Sequence, residues 1–253
     1  MDQVDMAAPS RPPAQAPAGH LPPALEARAI CKSLPFARAR IEILKGISVR
    51  IASGELVALV GPSGSGKSML LGILAGLDMP TSGQVFVAGA DITQMSESRL
   101  AVVRNQQIGM VFQAFNLIPT LTAQENVEVP LYVGRHPGKP ARRARELLGL
   151  VGLSHRLGNK PSQLSGGEQQ RVAIARSLAT DPAFVIADEP TGNLDAHNGE
   201  NVLKLIAELR EQTGKTFIIA THDPVVASHA DHAIRIVDGL IAEIDNSNGR
   251  ITQ

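Results

Sequence analysis

The sequence predicts an α/β fold in which a mostly parallel sheet is covered by helices on both faces. Three short apolar runs, residues 56–60, 184–187 and 216–220, have the length and composition of buried strands. Helical patterns separate these runs, and strands that alternate with helices are typical of parallel sheets. A mostly helical pattern between Thr122 and Ala179 further predicts a helical insertion between two of the strands.

Composition excludes several classes of protein. The chain has 253 residues, 24 basic and 24 acidic, and the resulting formal net charge of zero argues against a dedicated nucleic-acid binder. Its single cysteine, Cys31, excludes a disulfide framework and a four-thiolate metal site. We find neither a secretory signal nor an apolar run of about 18 residues, so we expect a soluble cytosolic protein.

The chain changes character near residue 24. Residues 1–24 are rich in Ala and Pro, can bury little surface, and are expected to form a disordered arm. Residues 25–253 are expected to form the folded domain. Within it, residues 41–51, 84–87 and 108–112 predict further strands, and residues 67–75 predict a helix.

A glycine-rich loop follows the apolar run at residues 56–60 and leads into the first predicted helix. It consists of Gly61, Pro62, Ser63, Gly64, Ser65, Gly66, Lys67 and Ser68. The glycines allow backbone amides to turn towards an anion, and the helix adds its positive N-terminal end. Lys67 is expected to reach the β- and γ-phosphates of a nucleotide, and the Ser68 hydroxyl to bind Mg²⁺.

A pair of carboxylates follows the buried run at residues 184–187. We expect Asp188 and Glu189 to line the ligand crevice at the carboxyl edge of the sheet. Asp188 suits the metal shell, and Glu189 suits a general base that polarises the attacking water. A solvated acidic pair at a strand end is common, but Lys67 and Ser68 in the same chain favour the catalytic interpretation.

A second glycine motif indicates the family. At residues 164–168, a serine followed by two glycines predicts a capped helix N-terminus that offers a hydroxyl and glycine amides to an anion. It resembles the signature motif of ATP-binding-cassette ATPases and consists of Leu164, Ser165, Gly166, Gly167 and Glu168. The resemblance covers about residues 25–245. It implies an α/β cassette with a parallel core, an antiparallel β edge near the N-terminus, and a helical subdomain of about residues 114–179 that carries the signature.

The resemblance also implies roles for single residues. Gln113 matches a glutamine that contacts metal and water, Asp195 matches the D-loop aspartate, and His222 matches the switch histidine that contacts the γ-phosphate. ATP and Mg²⁺ are the implied cofactors, with Ser68, Gln113 and Asp188 around the metal. The usual aromatic residue that stacks on adenine is replaced by Leu34, so stacking is either lost or transferred to Phe36.

Family membership further implies partners. Two cassettes pack head to tail around ATP, and because this chain has one phosphate loop, a second copy of itself is the favoured partner. The segments 115–122, 125–130 and 187–195 look like those of the lipoprotein-release, macrolide-export and cell-division ATPases. That group implies a permease with few membrane spans and a large extracytoplasmic domain. The expected location is then the cytoplasmic face of the inner membrane.

Other functions fit the sequence less well. A small-molecule kinase or a GTPase does not explain the motif at residues 164–168. A soluble cassette ATPase that acts on DNA or ribosomes usually has tandem cassettes or long coiled coils and basic surfaces. A purely regulatory, inactive cassette conflicts with the presence of Glu189 and His222. His229 and His232 suggest a metal site, but an ordinary helix end is the favoured interpretation.

Overall fold

The computed structural model describes residues 22–246 except 37, 38, 135, 137 and 223. Its central sheet has six strands in the order β10-β9-β3-β8-β7-β6, and all neighbours are parallel except the β9–β10 pair. The six strands are β3 (Leu56–Val60), β6 (Ile108–Phe112), β7 (Phe184–Asp188), β8 (Thr216–Thr221), β9 (His232–Val237) and β10 (Leu240–Asn246). The mostly parallel core predicted from the apolar runs is confirmed.

The predicted antiparallel edge is a separate sheet of four strands in the order β2-β1-β4-β5. These strands are β1 (Leu25–Phe36), β2 (Ala39–Ile51), β4 (Ser82–Val87) and β5 (Ala90–Asp91). Ala24, which the sequence places in the arm, is buried and its carbonyl accepts a hydrogen bond from the amide of Ala88 (3.0 Å). The packed structure therefore includes the last residue of the expected arm, while residues 1–21 lie outside the described part.

Seven α-helices and a short 3₁₀ helix surround the sheets in the described part of the chain. They are α1 (Lys67–Leu74), α2 (Glu97–Gln107), α3 (Ala123–Val133), α4 (Pro140–Leu150), the 3₁₀ helix Pro161–Gln163, α5 (Gly166–Ser177), α6 (Ala196–Thr213) and α7 (Pro224–Ser228). Helices α3, α4 and α5 pack against one another and lie in the segment whose pattern is mostly helical. Helix α3 starts at a capping box between Thr122 and Glu125.

The core lies on both faces of the central sheet. Because side chains alternate along a strand, Leu56 and Ala58 of β3 face α3–α6, while Val57 and Leu59 face α1 and the antiparallel sheet. Strands covered on both sides hold their carboxyl ends in fixed positions, and the loops that follow these ends carry the predicted site residues. Among the described residues, no helix has the length and hydropathy needed to cross a bilayer.

Candidate functional site

The glycine-rich loop Gly61–Ser68 connects β3 to α1. Only glycine fits at its first position, because a Cβ atom on Gly61 would lie 2.1 Å from the carbonyl oxygen of Ile236 in β9. Gly64 and Gly66 have positive φ angles of 79° and 103°, which glycine adopts without strain. Gly66 is also the N-cap of α1 and has no side chain to bond the first helical amides. The positive end of α1 is therefore open to an anion.

Lys67 lies over this loop and is only 7% exposed. Its ammonium donates hydrogen bonds to the carbonyl oxygens of Gly61 (2.7 Å) and Pro62 (3.0 Å). The Oγ atom of Ser65 is buried and has no hydrogen-bond partner among the described residues. A buried hydroxyl without a partner is costly, and a phosphate oxygen would supply the missing acceptor. The loop thus has both the charge and the unused donors that a nucleotide phosphate requires.

Ser68 and Asp188 bring two oxygen atoms together beside this loop. The hydroxyl of Ser68 donates to Oδ1 of Asp188 over 3.4 Å. Burial raises the pKa of the Asp188 carboxyl above its ordinary value, although the hydrogen bond from Ser68 acts in the opposite direction. Within the described residues, no group of three or more His, Cys, Asp or Glu side chains could hold a metal ion. The pair fits Mg²⁺, which often takes one or two protein oxygens and completes its shell with phosphate and water.

Glu189 and His222 meet because they follow neighbouring parallel strands, β7 and β8. The Nδ1 atom of His222 lies 3.1 Å from Oε1 of Glu189. The Glu189 backbone has a φ of 45°, an unusual value for a residue with a side chain. Its amide donates to the carbonyl of Ala220, and its carbonyl accepts from the amide of Gly192, both at 3.0 Å. These two bonds hold the backbone in the turn that places the carboxylate beside the histidine.

Gln113, the first residue after β6, contacts the loop that follows Glu189. The side-chain amide of Asn193 donates to the carbonyl of Gln113 (3.0 Å), and Nε2 of Gln113 lies 3.5 Å from Oδ1 of Asn193. A Cβ atom on Gly192 would approach Nε2 of Gln113 to 2.7 Å, so the Gln113 side chain packs directly against this glycine. The role of Asn193 was not predictable from the sequence, because its partner Gln113 is 80 residues away and no local pattern marks it.

The second glycine motif starts helix α5, as predicted. Ser165 is the N-cap: its Oγ accepts from the amide of Glu168 (3.3 Å), and Oε2 of Glu168 accepts from the amide of Ser165 (2.8 Å). The latter bond holds the pKa of Glu168 below its ordinary value. Arg156 adds an ion pair to Glu168 at 3.0 Å. The capping box fixes the helix start, where Gly166 is half-buried and Gly167 is buried.

Asp195 caps the next helix, α6, close to the start of α5. It accepts from the backbone amide of Asn198 (2.9 Å) and from the Asn198 side chain (2.6 Å), and the backbone bond is the main cause of its lowered pKa. A Cβ atom on Gly167 would lie 2.9 Å from Oδ1 of Asn198, and one on Gly166 would lie 3.3 Å from Cδ2 of Leu194. The first turns of α5 and α6 are therefore in close contact.

The structure brings most, but not all, of the predicted site residues together. The loop at residues 61–68 shares the carboxyl edge of the central sheet with the residues that follow β6, β7 and β8. In the described part of the chain, no hydrogen bond or ion pair joins residues 61–68 to residues 164–168. Phe36 ends β1 and is 65% exposed. Strand β2, which pairs with β1, passes close to the phosphate loop, since a Cβ atom on Gly66 would lie 2.8 Å from the Leu44 side chain.

The two histidines considered as metal ligands lie on different elements. His229 follows α7, and its amide donates to the carbonyl of Val226 (3.2 Å). His232 was expected to lie at a helix end. It instead begins strand β9, where its Nε2 lies 3.6 Å from Oε2 of Glu55. Parallel pairing of β9 with β3 accounts for this difference.

Comparison with known sequences shows the relationships of the chain. A family model described as "ABC transporter" matches residues 44–192. An uncharacterised ABC transporter ATP-binding protein of Thermotoga maritima is 50% identical over 217 residues, which are 85% of this chain and 92% of that protein. The lipoprotein-releasing system ATP-binding protein LolD of Bordetella avium is 48% identical and matches 86% of this chain and 95% of its own. The macrolide export ATP-binding/permease protein MacB of Salmonella typhi is also 48% identical over 86% of this chain, but over only 34% of its own length.

Comparison with solved structures gives the same relationship. The dimeric ATP-binding cassette MJ0796, in a post-hydrolysis state bound to ADP and Pi, superposes with a TM-score of 0.81 at 40% identity. It is matched over 89% of this chain and all of its own. The ABC transporter component cbiO1 of Clostridium perfringens superposes with a TM-score of 0.79 at 29% identity over 89% of each chain.

Proposed function

The chain belongs to the ABC transporter family and is an ATP-hydrolysing cassette of that family, and from this premise we propose that it powers a separate membrane permease. The observation that carries the catalytic part is the Glu189–His222 pair, 3.1 Å apart at the carboxyl ends of β7 and β8. This pair shares the sheet edge with the phosphate loop, and Asp188, next to Glu189, contacts Ser68. Hydrolysis of a phosphoanhydride needs a general base and a site that binds the phosphates. Glu189, hydrogen-bonded to His222, is the proposed base, and residues 61–68 are the proposed phosphate site.

Each residue has a proposed part in the reaction. The backbone amides of Gly61–Gly66 and the ammonium of Lys67 bind the phosphates, and Lys67 exchanges its two carbonyl acceptors for phosphate oxygens. Ser68, Gln113 and Asp188 would hold Mg²⁺, which would neutralise charge on the phosphates. Glu189 accepts a proton from the attacking water.

His222 orients the Glu189 carboxylate and contacts the γ-phosphate in this proposal. Its ring nitrogen Nδ1 lies within hydrogen-bond distance of Oε1, so the imidazole restricts the rotation of the carboxylate. Preorganisation of this kind lowers the barrier because the base does not have to be oriented during the reaction.

The proposed working form is a head-to-tail dimer of two copies of this chain. Residues 164–168 start a capped helix with glycine amides but are not bonded to the phosphate loop of their own subunit in the described part of the chain. They are therefore free to complete the site of a second subunit, with Asp195 at the junction of α5 and α6. The related cassette MJ0796 is itself dimeric.

The proposed partner is an integral membrane permease with few spans and a large extracytoplasmic domain. Relatives that act in lipoprotein release and macrolide export support this choice. The cassette would then lie on the cytoplasmic face of the inner membrane as a peripheral subunit. In this proposal residues 25–253 form the cassette, to which the packed Ala24 is added, and α3–α5 form its helical subdomain of about residues 114–179.

The test uses Glu189→Gln, which keeps the shape of the side chain and removes the base. Hydrolysis should fall by about 10²–10⁴-fold, and Mg-ATP should trap the dimer in size-exclusion chromatography with light scattering. Adding Lys67→Ala to this variant should leave it monomeric, because the phosphates lose their cation. A Glu189→Gln protein that stays monomeric in saturating Mg-ATP would refute the dimer.

The same trapped variant tests the permease. We would tag Glu189→Gln, solubilise membranes gently in Mg-ATP, and identify the proteins that co-purify. A permease with few spans supports the proposal, whereas a permease with many spans contradicts the subgroup. Recovery of only soluble proteins or nucleic acid contradicts the transport function.

A further inference from the structure

Gln170 is a polar residue in a buried position of helix α5. It is 0% exposed and lies on the same helix face as Gly167, Ile174 and Ser177, which are also buried. Its Nε2 donates a hydrogen bond to the carbonyl of Pro190 (2.7 Å). Its Oε1 is buried and has no hydrogen-bond partner among the described residues. A half-satisfied buried amide costs free energy, so packing alone would favour an apolar residue here.

The bond reaches the backbone directly beside the proposed base. Pro190 follows Glu189, whose left-handed backbone is held by Ala220 on one side and by Gly192 on the other. The contact with Gln170 is a third constraint on the same turn, and it comes from a different part of the molecule. It joins the turn to α5, the helix that starts at the signature residue Ser165.

The start of α5 and Gln170 belong to one rigid unit. Ser165 and Gln170 are little more than one helical turn apart, and the capping box fixes the first turn. A Cβ atom on Gly166 would lie 3.3 Å from Leu194, just before α6, and one on Gly167 would lie 2.9 Å from Asn198 in the first turn of α6, so the start of α5 packs closely against the segment that follows Glu189. A displacement of the helix start therefore has a short path of direct contacts to Glu189.

We propose that Gln170 is a positioning residue that couples the signature helix to the general base of its own subunit. This inference rests on the proposed function, in which residues 164–168 bind the nucleotide of the partner subunit. When residues 164–168 bind that nucleotide, they set the position of α5. The hydrogen bond from Gln170 to Pro190 transmits this position to the turn that contains Glu189. The Glu189 carboxylate is thereby aligned with the attacking water. Each subunit thus activates its own base when it is docked on the nucleotide of the other.

The first experiment compares Gln170→Met with Gln169→Met. Gln169 is a matched control on the same helix, because within the described residues its side-chain amide donates to the nearby carbonyl of Leu164 (3.1 Å) and not to the turn after Glu189. We expect Gln170→Met to lower kcat about tenfold, to leave the KM for ATP unchanged, and to reduce the Hill coefficient towards one. Gln169→Met should keep kcat within about twofold. Equal kcat and Hill coefficients in wild type and Gln170→Met would overturn the inference.

Mixed dimers with two different affinity tags show in which subunit Gln170 acts. In the first dimer, one subunit carries Gln170→Met together with Glu189→Gln and its partner is wild type. In the second dimer, one subunit carries Gln170→Met and its partner carries Glu189→Gln. Coupling within a subunit predicts normal single-site activity in the first dimer and a tenfold loss in the second. If Gln170 only supports the signature that acts on the partner, the first dimer loses activity and the second does not, which contradicts the inference.

Two controls keep the outcomes separate. If Gln170→Met unfolds more than about 10 °C below wild type, the mixed dimers are made with Gln170→Asn, whose amide is polar but one methylene too short to reach Pro190. If a dimer of wild type with Glu189→Gln does not form in Mg-ATP, the proposed function fails. If it forms and hydrolyses ATP but is unaffected by Gln170→Met in either arrangement, only the coupling fails.

Discussion

Asn126 holds the loop between β6 and α3, and its replacement by alanine gives a quantitative test of the structure. The side chain is 0% exposed. Its Oδ1 accepts from the amide of Ile118 (2.7 Å), and its Nδ2 lies within hydrogen-bond distance of the carbonyls of Ile118 (3.2 Å), Leu121 (3.2 Å) and Thr122 (3.0 Å). The loop starts at Gln113, so the same side chain supports a proposed metal and water contact.

The expected loss follows from the groups that Asn126→Ala leaves without partners. The carbonyls of Ile118 and Thr122 keep backbone bonds from Leu121 and from residue 126 itself. The Ile118 amide and the Leu121 carbonyl lose their bonds, and an unsatisfied buried group costs about 1–3 kcal/mol. Since the Ile118 side chain is 41% exposed, water can reach part of this loop. We therefore expect a loss of about 2–3 kcal/mol in the free energy of unfolding.

Thermal unfolding followed by circular dichroism measures this loss. For a chain of this size it corresponds to a fall in Tm of about 5–10 °C. Asn201→Ala is the matched control, because Asn201 is exposed on helix α6 and alanine is the better helix former, so the change should stay within about 0.5 kcal/mol. A loss below about 1 kcal/mol for Asn126→Ala would show that the hydrogen-bond network does not stabilise the loop.

Three further predictions concern the site. Phe36→Ala should weaken ATP binding by up to about tenfold in calorimetry, because stacking on a base contributes about 0.5–1.5 kcal/mol, and an unchanged affinity would exclude Phe36 as the stacking residue. The amide of Ser165 holds the pKa of Glu168 below its ordinary 4.5, so the stabilisation is complete above pH 4.5 and is lost as the pH falls through the lowered folded pKa. The difference in urea-unfolding stability between wild type and Glu168→Ala should therefore shrink with falling pH, and a constant difference would contradict this. Gly61→Ala should lower the free energy of unfolding by about 1–3 kcal/mol and weaken nucleotide binding, since its Cβ would lie 2.1 Å from a carbonyl of β9. Gly72→Ala is the control: its Cβ would meet nothing within 4 Å, so the free energy of unfolding should rise by up to about 1 kcal/mol. Equal effects of the two substitutions would refute the packing argument.

Elements with a clear hydrophobic pattern were predictable. Strands β3 and β6 have the predicted bounds, because continuous apolar runs mark strands buried on both faces. Strand β1 was missed, since its register against β2 shifts at three places between Ala27 and Ser33, where Ala29 has a φ of 49°, and the shifts break the alternation of polar and apolar residues. Helix α2 was missed because Leu100 is its only fully buried residue, so it has no periodic apolar face.

The sequence by itself determined the phosphate loop and the capped start of α5. In both, glycines and polar residues act on the backbone within a few residues of one another, so the chemistry is local and visible in the order of residues. Only the tertiary structure decided the pairs Glu189–His222, Gln113–Asn193 and Gln170–Pro190, which are 33, 80 and 20 residues apart. Such pairs depend on which strands become neighbours and on how one helix packs against a loop. Those arrangements result from burying both faces of the sheet, a property of the whole fold that no short segment encodes.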